Sequence, residues 1–456
     1  NFPSSQNTQT PMKAVLISVG SRGDAEPFCS LGRRLAEKGV TVDLFLQTDL
    51  QYLAPPSVNV HDIPFTQMDM YRYVANPSHG ADHSNPRVRF IGVVTDVIAE
   101  LVFPVWENLL AVAKDANMIV CSSLARPLSL AIAQKIGIKT AIIHLQPLMP
   151  TKHFPHYSQT DEFVATICSI GGGGGEEEDE EEEEETNSDD KSHEQSYWEL
   201  EKFQFDFLKD RLDKVCKDMD VPLQTFEGLR SHLKGGNEAT LIVNAFSNAV
   251  VPIVSDAGPH TVNVGPLADS YIPTTNGWTP PEDLVTFLEK CETPPVCIGY
   301  GSMPFDKALI VRDALRELNV KAVLVGDAFK SNDDNNDDDN TVFEIASAPY
   351  PWLLPKCSMM LCHGGAGVVN ATLRAGIPCV ITPLIGDQFM WAKLLEEKGL
   401  GVMCGSVLTA LTKDEIMDGV QKAAAASCSL KCKDTAALIA SEELGVNILS
   451  DKLIAL

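Results

Sequence analysis

Short, mainly apolar runs alternate with longer amphipathic stretches from the beginning of the chain. "KAVLIS" and "VTVDLFL" have the length of strands. Between them, Phe28, Leu31 and Leu35 recur at the spacing of one helical face, which predicts a helix from Glu26 to Lys38 with Pro27 in its first turn. Short apolar runs bounded by turn residues are typical of buried strands, whereas a period of three to four residues is typical of a helix. A strand, a helix and a strand at this spacing predict a parallel sheet with helical crossovers.

The same alternation stops and then restarts in the second half of the chain. The proline-rich segment 268–294 predicts a linker, and "PVCIGYGSM", "KAVLVG", "MMLCH" and "PCVITP" follow it as further strand-like runs. This pattern predicts an α/β protein with two doubly wound, Rossmann-like domains that face a cleft. The predicted divisions are a loose lead (1–11), a first domain (12–267), the linker (268–294), a second domain (295–430) and a C-terminal helical segment (431–456) that could cross back to the first domain.

The formal net charge of −26 is concentrated in a few acidic runs. Residues 176–185 are ten consecutive acids, and seven more aspartates lie at 189–190 and 333–339. About −9 remains without these seventeen acids, an ordinary charge for a soluble protein of this size. Residues 171–191 cannot bury apolar surface, so we predict a disordered acidic loop there. No basic face stands out, and nucleic acid is therefore not an expected partner.

The cysteines and the apolar segments exclude further classes of protein. The 12 cysteines form no CxxC pair, and several of them, such as Cys297, Cys362 and Cys379, lie in strand-like runs. This pattern indicates reduced, buried cysteines in a cytoplasmic protein rather than a disulfide framework or a zinc site. No run reaches the roughly 18 apolar residues of a membrane span, and the first eleven residues lack a signal-peptide pattern. Peripheral contact with a membrane stays open.

The strongest chemical signal is the run "HGGAG", residues 363–367, between a predicted strand and a predicted helix. Bare amides at a helix N-terminus attract phosphate, and glycines let the phosphate come close. His363 adds a donor that could neutralise charge on a diphosphate. One strand later, Asp387 and Gln388 occupy a similar turn, where their side chains suit hydrogen bonding to sugar hydroxyls. Tight packing would explain one glycine turn, but polar turns in two successive units favour a donor site.

A third polar turn, "GSRGDAEP", follows the first predicted strand. It contains Gly20, Ser21, Arg22, Gly23 and Asp24, and it precedes the first predicted helix. A carboxylate there is either a helix cap or a proton acceptor at the mouth of the sheet, and the two roles can coexist. Arg22 would either pair with Asp24 or point to solvent.

These motifs resemble those of the inverting family 1 glycosyltransferases, within the UDP-glycosyltransferase superfamily. "HGGAG…AGIPCVITPLIGDQFMWA" and "GSRGDAEPFCSLGRRLAEKG" are most similar to the sterol glucosyltransferases and to the bacterial antibiotic and macrolide glycosyltransferases. The resemblance implies a GT-B architecture and inverting hexosyl transfer from a UDP-sugar, with glucose as the expected sugar. It also implies that no cofactor or metal is required, and residues 333–339 are accordingly interpreted as a low-complexity loop.

The resemblance assigns the general base to Asp24. Plant relatives use a histidine base supported by an aspartate about a hundred residues further on. In this chain Ser122 or Ser123 occupies that second place, so Asp24 would act without a charged partner.

The resemblance also assigns a donor-binding set in the second domain. The amides after His363 would cradle the diphosphate, Ser302 would reach it, and the segment around Tyr350 and Trp352 would line the nucleobase, although Trp352 could instead be a core residue. The full set is Ser302, Tyr350, Trp352, His363, Gly364, Gly365, Ala366, Gly367, Asp387 and Gln388.

The acceptor site is expected in loops of the first domain. "FTQMDMYRYVANPSHG", "DVIAELVFPVWENLL" and "HLQPLMPTKHFPHY" are rich in aromatic residues, methionine and proline. Such loops suit an apolar, hydroxylated small molecule: a sterol, a polyphenol, a polyketide or a lipid alcohol. Two alternatives remain, a nucleotide-sugar epimerase of the GT-B fold, which would need no acceptor pocket, and a catalytically inactive lipid-binding scaffold.

Overall fold

Two parallel β-sheets with flanking helices form the protein. The computed structural model describes residues 12–75, 86–154, 156, 193–251, 254–268, 278–301, 305–329, 341–405 and 407–456. Several predictions lie outside these residues: the loose lead 1–11, the acidic loop 171–191, the acidic run 333–339 and Ser302. For these segments the sequence-based expectations stay predictions.

The first sheet has the strand order β3-β2-β1-β4-β5-β6-β7, and the second has the order β10-β9-β8-β11-β12-β13. Every strand pair is parallel, so the prediction of two doubly wound sheets is confirmed. The strands are β1 (Lys13–Ile17), β2 (Thr41–Gln47), β3 (Asn59–Ile63), β4 (Met118–Ser122), β5 (Lys139–His144), β6 (Thr240–Asn244), β7 (Thr261–Asn263), β8 (Val296–Ile298), β9 (Ala322–Val325), β10 (Val342–Ile345), β11 (Met359–Cys362), β12 (Cys379–Ile381) and β13 (Gly401–Met403).

Helices cover both faces of each sheet. In the described residues they are α1 (Arg22–Glu37), α2 (Gln67–Ala75), α3 (Pro86–Val97), α4 (Trp106–Ala113), α5 (Arg126–Ile136), α6 (His193–Asp218), α7 (Phe226–Leu233), α8 (Glu282–Glu289), α9 (Ala308–Leu318), α10 (Tyr350–Leu353), α11 (Ala366–Ala375), α12 (Gln388–Lys398), α13 (Lys413–Ala423), α14 (Ala426–Ser441) and α15 (Gly445–Ile454). Strand β1 shows why both faces need cover: Val15 and Ile17 are buried in one apolar cluster, whereas Ala14 and Leu16 are buried in the cluster on the opposite face. This alternation is typical of a strand buried on both sides.

The first helix begins earlier than the sequence predicted. Helix α1 begins at Arg22 with Ser21 as its N-cap, so Pro27 lies inside the helix rather than in its first turn. Proline has no N–H to donate to the carbonyl four residues earlier, which is that of Gly23. The early start follows from the side chain of Asp24, which bonds back to Ser21 and holds the first turn closed.

Two segments outside the sheets also differ in detail from the prediction. The proposed linker contains α8, whose Leu284 is fully buried in the apolar cluster of the second sheet. Helix α14 begins at Ala426, and the following helix α15 packs Val446, Leu449 and Leu453 into the same cluster as α1. The end of the chain therefore contacts the first sheet.

The fold places the polar turns at the carboxyl edges of the two sheets. Each sheet reverses its strand order beside its first strand, between β1 and β4 and between β8 and β11. Crevices of this kind, outside the carboxyl ends of parallel strands, are where ligands bind in open α/β sheets. The described residues of the predicted site follow β1, β10, β11 and β12.

Candidate active site

Asp24 is held by the first turn of its own helix. Its Oδ2 accepts hydrogen bonds from the backbone N–H of Ser21 at 2.7 Å and from the Ser21 hydroxyl at 2.9 Å. The backbone carbonyl of Asp24 accepts from the Ser18 hydroxyl at 2.9 Å. The N-cap is thus Ser21, and Asp24 occupies the third helical position rather than the cap position that the sequence suggested.

The turn before Asp24 is shaped around the carboxylate. Gly20 has φ of +143°, and a Cβ at this position would lie 2.3 Å from Asp24 Oδ2. The Gly20 N–H donates to Gln47 Oε1 at 2.8 Å, and the Val19 N–H donates to the Ser122 hydroxyl at 3.1 Å. The neighbouring strands β2 and β4 therefore fix the turn from both sides.

Burial changes the acidity of Asp24. Removal from water raises its pKa above the ordinary value, although the hydrogen bonds from Ser21 act in the opposite direction. Arg22 was expected either to pair with Asp24 or to point to solvent; its guanidinium pairs with Glu26 at 2.6 Å on the next turn of the helix, and 54% of its side chain is exposed. Arg22 therefore does not supply the opposite charge that would make Asp24 a weaker base.

His363 follows β11 and faces the glycine turn. Its Nδ1 is buried and has no hydrogen-bond partner, so it is a polar atom that a ligand could satisfy. Burial lowers the pKa of His363 to about 4, and the ring is therefore neutral at pH 7 in this form. His363 is thus a neutral hydrogen-bonding group in this form, and its predicted contact with a diphosphate stays a prediction.

The glycines beside His363 are required by the close packing. Gly364 has φ of +88°, and a Cβ there would lie 2.5 Å from Cγ2 of Ile381. A Cβ on Gly365 would lie 2.6 Å from Nε2 of His363. Helix α11 begins directly after these glycines, at Ala366, so its N-terminal amides open toward the same turn.

The start of α11 meets the start of α1. A Cβ built on Gly367 would lie 3.6 Å from the Cα of Gly23. The N-terminal turns of two helices, one from each sheet, thus face one another at a pair of glycines. Because a helix N-terminus carries a partial positive charge, this junction favours an anion.

Asp387 links the two sheets electrostatically. It is the N-cap residue of α12, and its Oδ2 accepts from the indole N–H of Trp391 at 3.0 Å. The side chain of Gln146, which follows β5 of the first sheet, is a further hydrogen-bond donor to this carboxylate. Burial and the nearby charge of Asp24 nevertheless raise the pKa of Asp387 to about 7.

Gln388 has a structural function that the sequence did not predict. Its side-chain carbonyl accepts from the backbone N–H groups of Leu384 at 2.7 Å and Ile385 at 3.0 Å. The side chain therefore fixes the loop that precedes Asp387. Its predicted contact with a sugar hydroxyl stays a prediction.

The two aromatic candidates in α10 differ in their surroundings. Tyr350 points its hydroxyl toward Gly299, where a Cβ would approach within 2.5 Å. Its pKa responds to the charge of Arg22 in the first domain, which places it at the cleft. Trp352 packs edge-on against Trp278 with 5.3 Å between ring centroids, and Lys356 lies over its face at 4.0 Å.

A mainly apolar cavity of about 110 Å³ lies inside the first domain, between α3, α5 and α6. Its apolar lining includes Ile98, Leu130, Leu148, Phe205, Leu208 and Leu212. Two of the stretches predicted to hold an acceptor contribute to it, one through Ile98 and the other through Leu148 and His156. The stretch 65–80 was also predicted to contribute; residues 76–80 lie outside the described residues, and the described part of the stretch does not line this cavity.

Several residues at the site were missed by the sequence analysis. Gln47, Gln146 and the ion pair of Arg126 with Glu201 all border the turns or the cavity. One signal was available for the first two: each is a polar residue at or just beyond the end of a buried strand. The pairing of α5 with α6 joins residues 75 positions apart, and no local pattern encodes it.

Two kinds of feature, a metal-binding cluster and a membrane-spanning helix, are absent from the part of the chain that the structure describes. Within the ranges given above, no three His, Cys, Asp or Glu side chains are grouped so that they could hold a metal ion. In the same ranges, no helix combines the length and the apolar character needed to span a bilayer.

Comparison with known proteins supports the resemblance seen in the motifs. Residues 310–445 match the family "Erythromycin biosynthesis protein CIII-like, C-terminal domain". The chain is 26% identical over 407 residues to the sterol 3-beta-glucosyltransferase UGT80B1 of Arabidopsis thaliana, covering 86% of this chain and 59% of that protein. It is 23% identical over 454 residues to the sterol 3-beta-glucosyltransferase of Candida albicans, covering 92% of this chain and 26% of that protein. The chain thus spans less than two thirds of these relatives.

Solved structures show the same architecture. The spinosyn rhamnosyltransferase SpnG superimposes with a TM-score of 0.64 at 16% identity, over 97% of this chain and all of the other. The kitacinnamycin glycosyltransferase superimposes with a TM-score of 0.63 at 16% identity, over 98% of this chain and 99% of the other. The protein therefore has the GT-B fold, as predicted. The sequence matches add that the chain is similar to sterol 3-beta-glucosyltransferases over most of its length and to an antibiotic-biosynthesis protein over residues 310–445.

Proposed function

We propose that the protein is an inverting glycosyltransferase that moves a sugar, glucose in the first instance, from a UDP-sugar to a hydroxyl of an apolar small molecule. The observation that carries the proposal is the meeting of the polar turns of the two sheets: a Cβ on Gly367 would lie 3.6 Å from the Cα of Gly23, and the buried carboxylates Asp24 and Asp387 border this junction. One carboxylate belongs to the first domain and the other to the second. This arrangement suits a reaction between two substrates, each held by one domain.

In this proposal Asp24 accepts the proton of the acceptor hydroxyl as the oxygen attacks the anomeric carbon. A raised pKa makes the carboxylate a stronger base than free aspartate, which brings it closer to the range in which general bases work at neutral pH. The bonds from Ser21 hold the carboxylate in place before substrate binds. Transfer should therefore require pH above the pKa of Asp24.

The leaving diphosphate would be stabilised by the second domain. The amides at the start of α11 and the neutral ring of His363 are donors that can be aimed at oxygens on which negative charge develops. The unpartnered Nδ1 of His363 supports this role, since the diphosphate would satisfy it. We propose that these groups act without a metal ion.

The donor sugar would bind between Asp387 and the turn of Asp24. In the ligand-free protein the two carboxylates repel one another, and sugar hydroxyls placed between them would donate hydrogen bonds to either. The relatives named above transfer glucose to sterols or rhamnose to spinosyn, which supports an apolar ring alcohol as the acceptor. The apolar cavity favours this proposal over an epimerase, which would have no use for an acceptor pocket.

The proposal is tested by transfer from UDP-glucose to a panel of sterols, phenols and lipid alcohols, with products measured by mass spectrometry. We expect a β-glucoside from at least one ring alcohol, and we expect His363→Ala to lower kcat by about a hundredfold while the protein stays folded. Loss of one donor to a developing charge costs about 2.7–4 kcal/mol of barrier. UDP binding by calorimetry separates the catalytic loss from a failure to bind.

Two outcomes would contradict the proposed activity, and a third would contradict the proposed diphosphate site. An inactive scaffold would yield no product with any donor and acceptor, while still binding the apolar ligand. An epimerase would convert UDP-glucose to an isomer without an acceptor. Near-normal transfer by His363→Ala would place the diphosphate site elsewhere.

A further inference from the structure

The apolar cavity of the first domain contains an ion pair that its apolar walls do not explain. Arg126, the first residue of α5, donates from both terminal nitrogens to the carboxylate of Glu201 on α6, at 3.1 and 2.7 Å. Both side chains are largely buried, with 9% and 13% exposed, and both line the cavity. The Nε of Arg126 is also buried and has no partner.

One hydrogen-bond donor of the pair, the Nε–H of Arg126, is left without an acceptor. The two charges compensate one another, so the remaining group is an N–H donor in a site that is already neutral. A buried donor without an acceptor costs free energy, which a ligand oxygen would recover. A carboxylate or phosphate would bring a second negative charge beside Glu201 into an apolar environment, and that is unfavourable. The complementary group is therefore a neutral oxygen, a carbonyl or a hydroxyl.

The size of the cavity limits what enters it. An apolar protein cavity of about 150 Å³ is known to hold benzene. The volume of about 110 Å³ here therefore suits one ring of a larger molecule rather than a whole sterol. The rest of the ligand would have to extend out of the cavity.

One side of the cavity lies close to the turn that holds Asp24. Ser123 lines the cavity, and the hydroxyl of its neighbour Ser122 accepts from the Val19 N–H directly before Gly20. Ser123 also bonds to Nδ1 of His144 at 3.2 Å. The adjacent residues Ser122 and Ser123 therefore connect the turn of Asp24 with the wall of the cavity.

From these observations we infer that the Arg126–Glu201 pair binds a neutral oxygen of the acceptor, at the end opposite the hydroxyl that receives the sugar. The inference rests on the proposed function and narrows it: the acceptor is an apolar ring alcohol with oxygens at both ends. One oxygen receives the sugar near Asp24. The other, a carbonyl or hydroxyl, accepts a hydrogen bond from Arg126 in the cavity.

The test compares two probe steroids that differ only at the far end. Both carry one hydroxyl, at carbon 3, and one of them also carries a ketone at carbon 17: 3β-hydroxy-5α-androstan-17-one and 5α-androstan-3β-ol. Equilibrium dialysis of the whole chain without donor measures their affinities. We expect the ketone to bind roughly tenfold more tightly, the effect of one hydrogen bond to a charged group.

A double variant removes the donor without leaving a lone buried charge. Arg126→Met/Glu201→Leu replaces the pair with apolar side chains, a change that buried ion pairs often tolerate. We expect it to bind the two steroids with equal affinity.

Arg211→Met is the matched control. Arg211 also anchors α6, pairing with Asp96 at 3.0 Å and with Glu100 at 2.6 Å, but it is 45% exposed and does not line the cavity. We expect Arg211→Met to keep the tenfold preference for the ketone. If Arg126 only anchored α6, the Arg126 variant and Arg211→Met would change the preference in the same way.

Every other result overturns the inference. Equal affinities in the native protein, no binding of either steroid, a preference that persists in Arg126→Met/Glu201→Leu, or its loss in Arg211→Met each contradict it. Transfer from UDP-glucose is measured separately. A ketone preference without transfer would refute the proposed function alone, and transfer without a preference would refute only the inference.

Discussion

Two helices of the first domain begin with the same hydrogen-bonded turn, yet the pKa values of the carboxylates in these turns are shifted in opposite directions. At the start of α1, Asp24 accepts from the N–H and the hydroxyl of Ser21 at 2.7 and 2.9 Å. At the start of α2, Asp69 accepts from the N–H and the hydroxyl of Thr66 at 3.0 and 2.7 Å. Local hydrogen bonds lower the pKa of Asp69, whereas burial outweighs the same bonds and raises the pKa of Asp24.

The difference shows that the capping geometry alone does not set the pKa of a carboxylate. The side chain of Asp69 is 45% exposed, so water stabilises its charge as well as the turn does. Asp24 has Gly20 packed against it and its charge acts on Asp387 of the other domain. Asp69 stabilises the start of its helix, whereas the buried Asp24 also has the raised pKa that suits the base we propose.

The largest expected difference between the two turns is the effect of an Asp→Asn substitution on kcat. Asp24→Asn preserves the shape of the turn, since the side-chain carbonyl of Asn can still accept from the N–H and the hydroxyl of Ser21. We expect the variant to hold its free energy of unfolding within about 1 kcal/mol. It should lower kcat by roughly 10²–10⁴-fold, because it cannot accept a proton. Initial rates with UDP-glucose and a ring alcohol measure the loss.

Asp69→Asn is the matched control for this substitution. It changes the same atom in the same type of turn, and we expect it to keep full turnover. If Asp24→Asn retains turnover on an aliphatic alcohol, then another group accepts the proton. Asp24 would then have no more part in catalysis than Asp69.

The next effect concerns the glycine that makes room for Asp24. Gly20→Ala would introduce a Cβ at the position of the carboxylate, so we expect it to displace Asp24 and to lower kcat at least tenfold, in addition to the backbone cost. Gly39→Ala lies at the other end of the same helix, with φ of +84° and no atom within 4 Å of its Cβ. It should cost only about 1–2 kcal/mol of stability, the price of the left-handed backbone. Equal turnover losses in the two variants would show that Gly20 matters for the backbone alone.

Much of the fold could be predicted because each strand is encoded locally. The runs that form β1, β2, β11 and β12 are apolar and short, and each is followed by a polar turn. The position of the glycine turn at residues 363–367 could be predicted for the same reason, since glycine and histidine at a strand end need no distant partner to be recognised. The start of α1 was wrong because the bond from Asp24 back to Ser21 outweighs the proline signal at Pro27.

The electrostatics of the site could not be predicted, because they depend on contacts between distant residues. The neutral state of His363 and the raised pKa of Asp387 both result from burial, and the latter also from Asp24, 363 positions earlier in the chain. Gln146 bonds to Asp387 across the two domains, and Arg126 finds Glu201 only when α6 packs on α5. Such pairs have no signature in a single sequence.

A smaller effect concerns stability as a function of pH. The raised pKa of Asp24 means that the native protein loses stability as pH rises above the ordinary value of 3.8 through the folded pKa, since the buried group must ionise. Asn does not titrate, so the stability of Asp24→Asn relative to native should increase across this range. Asp69 has a lowered pKa, so the relative stability of Asp69→Asn should decrease as pH rises toward 3.8. Urea unfolding between pH 3 and 7 measures both slopes, and slopes of the same sign would contradict the comparison.

The smallest effect is the influence of Asp24 on its neighbour across the cleft. The charge of Asp24 is one cause of the Asp387 pKa of about 7, so removing that charge should move the titration of Asp387 below 7. The indole N–H of Trp391 donates to Asp387, and its nitrogen-15 signal will therefore follow the ionisation. The chain has only 5 tryptophans, so Trp391→Phe is enough to assign this signal. Asp24→Asn should lower the midpoint of the titration and Asp69→Asn should leave it unchanged. A midpoint that stays the same in Asp24→Asn would mean that burial alone sets the acidity of Asp387, and the two carboxylates would then act independently.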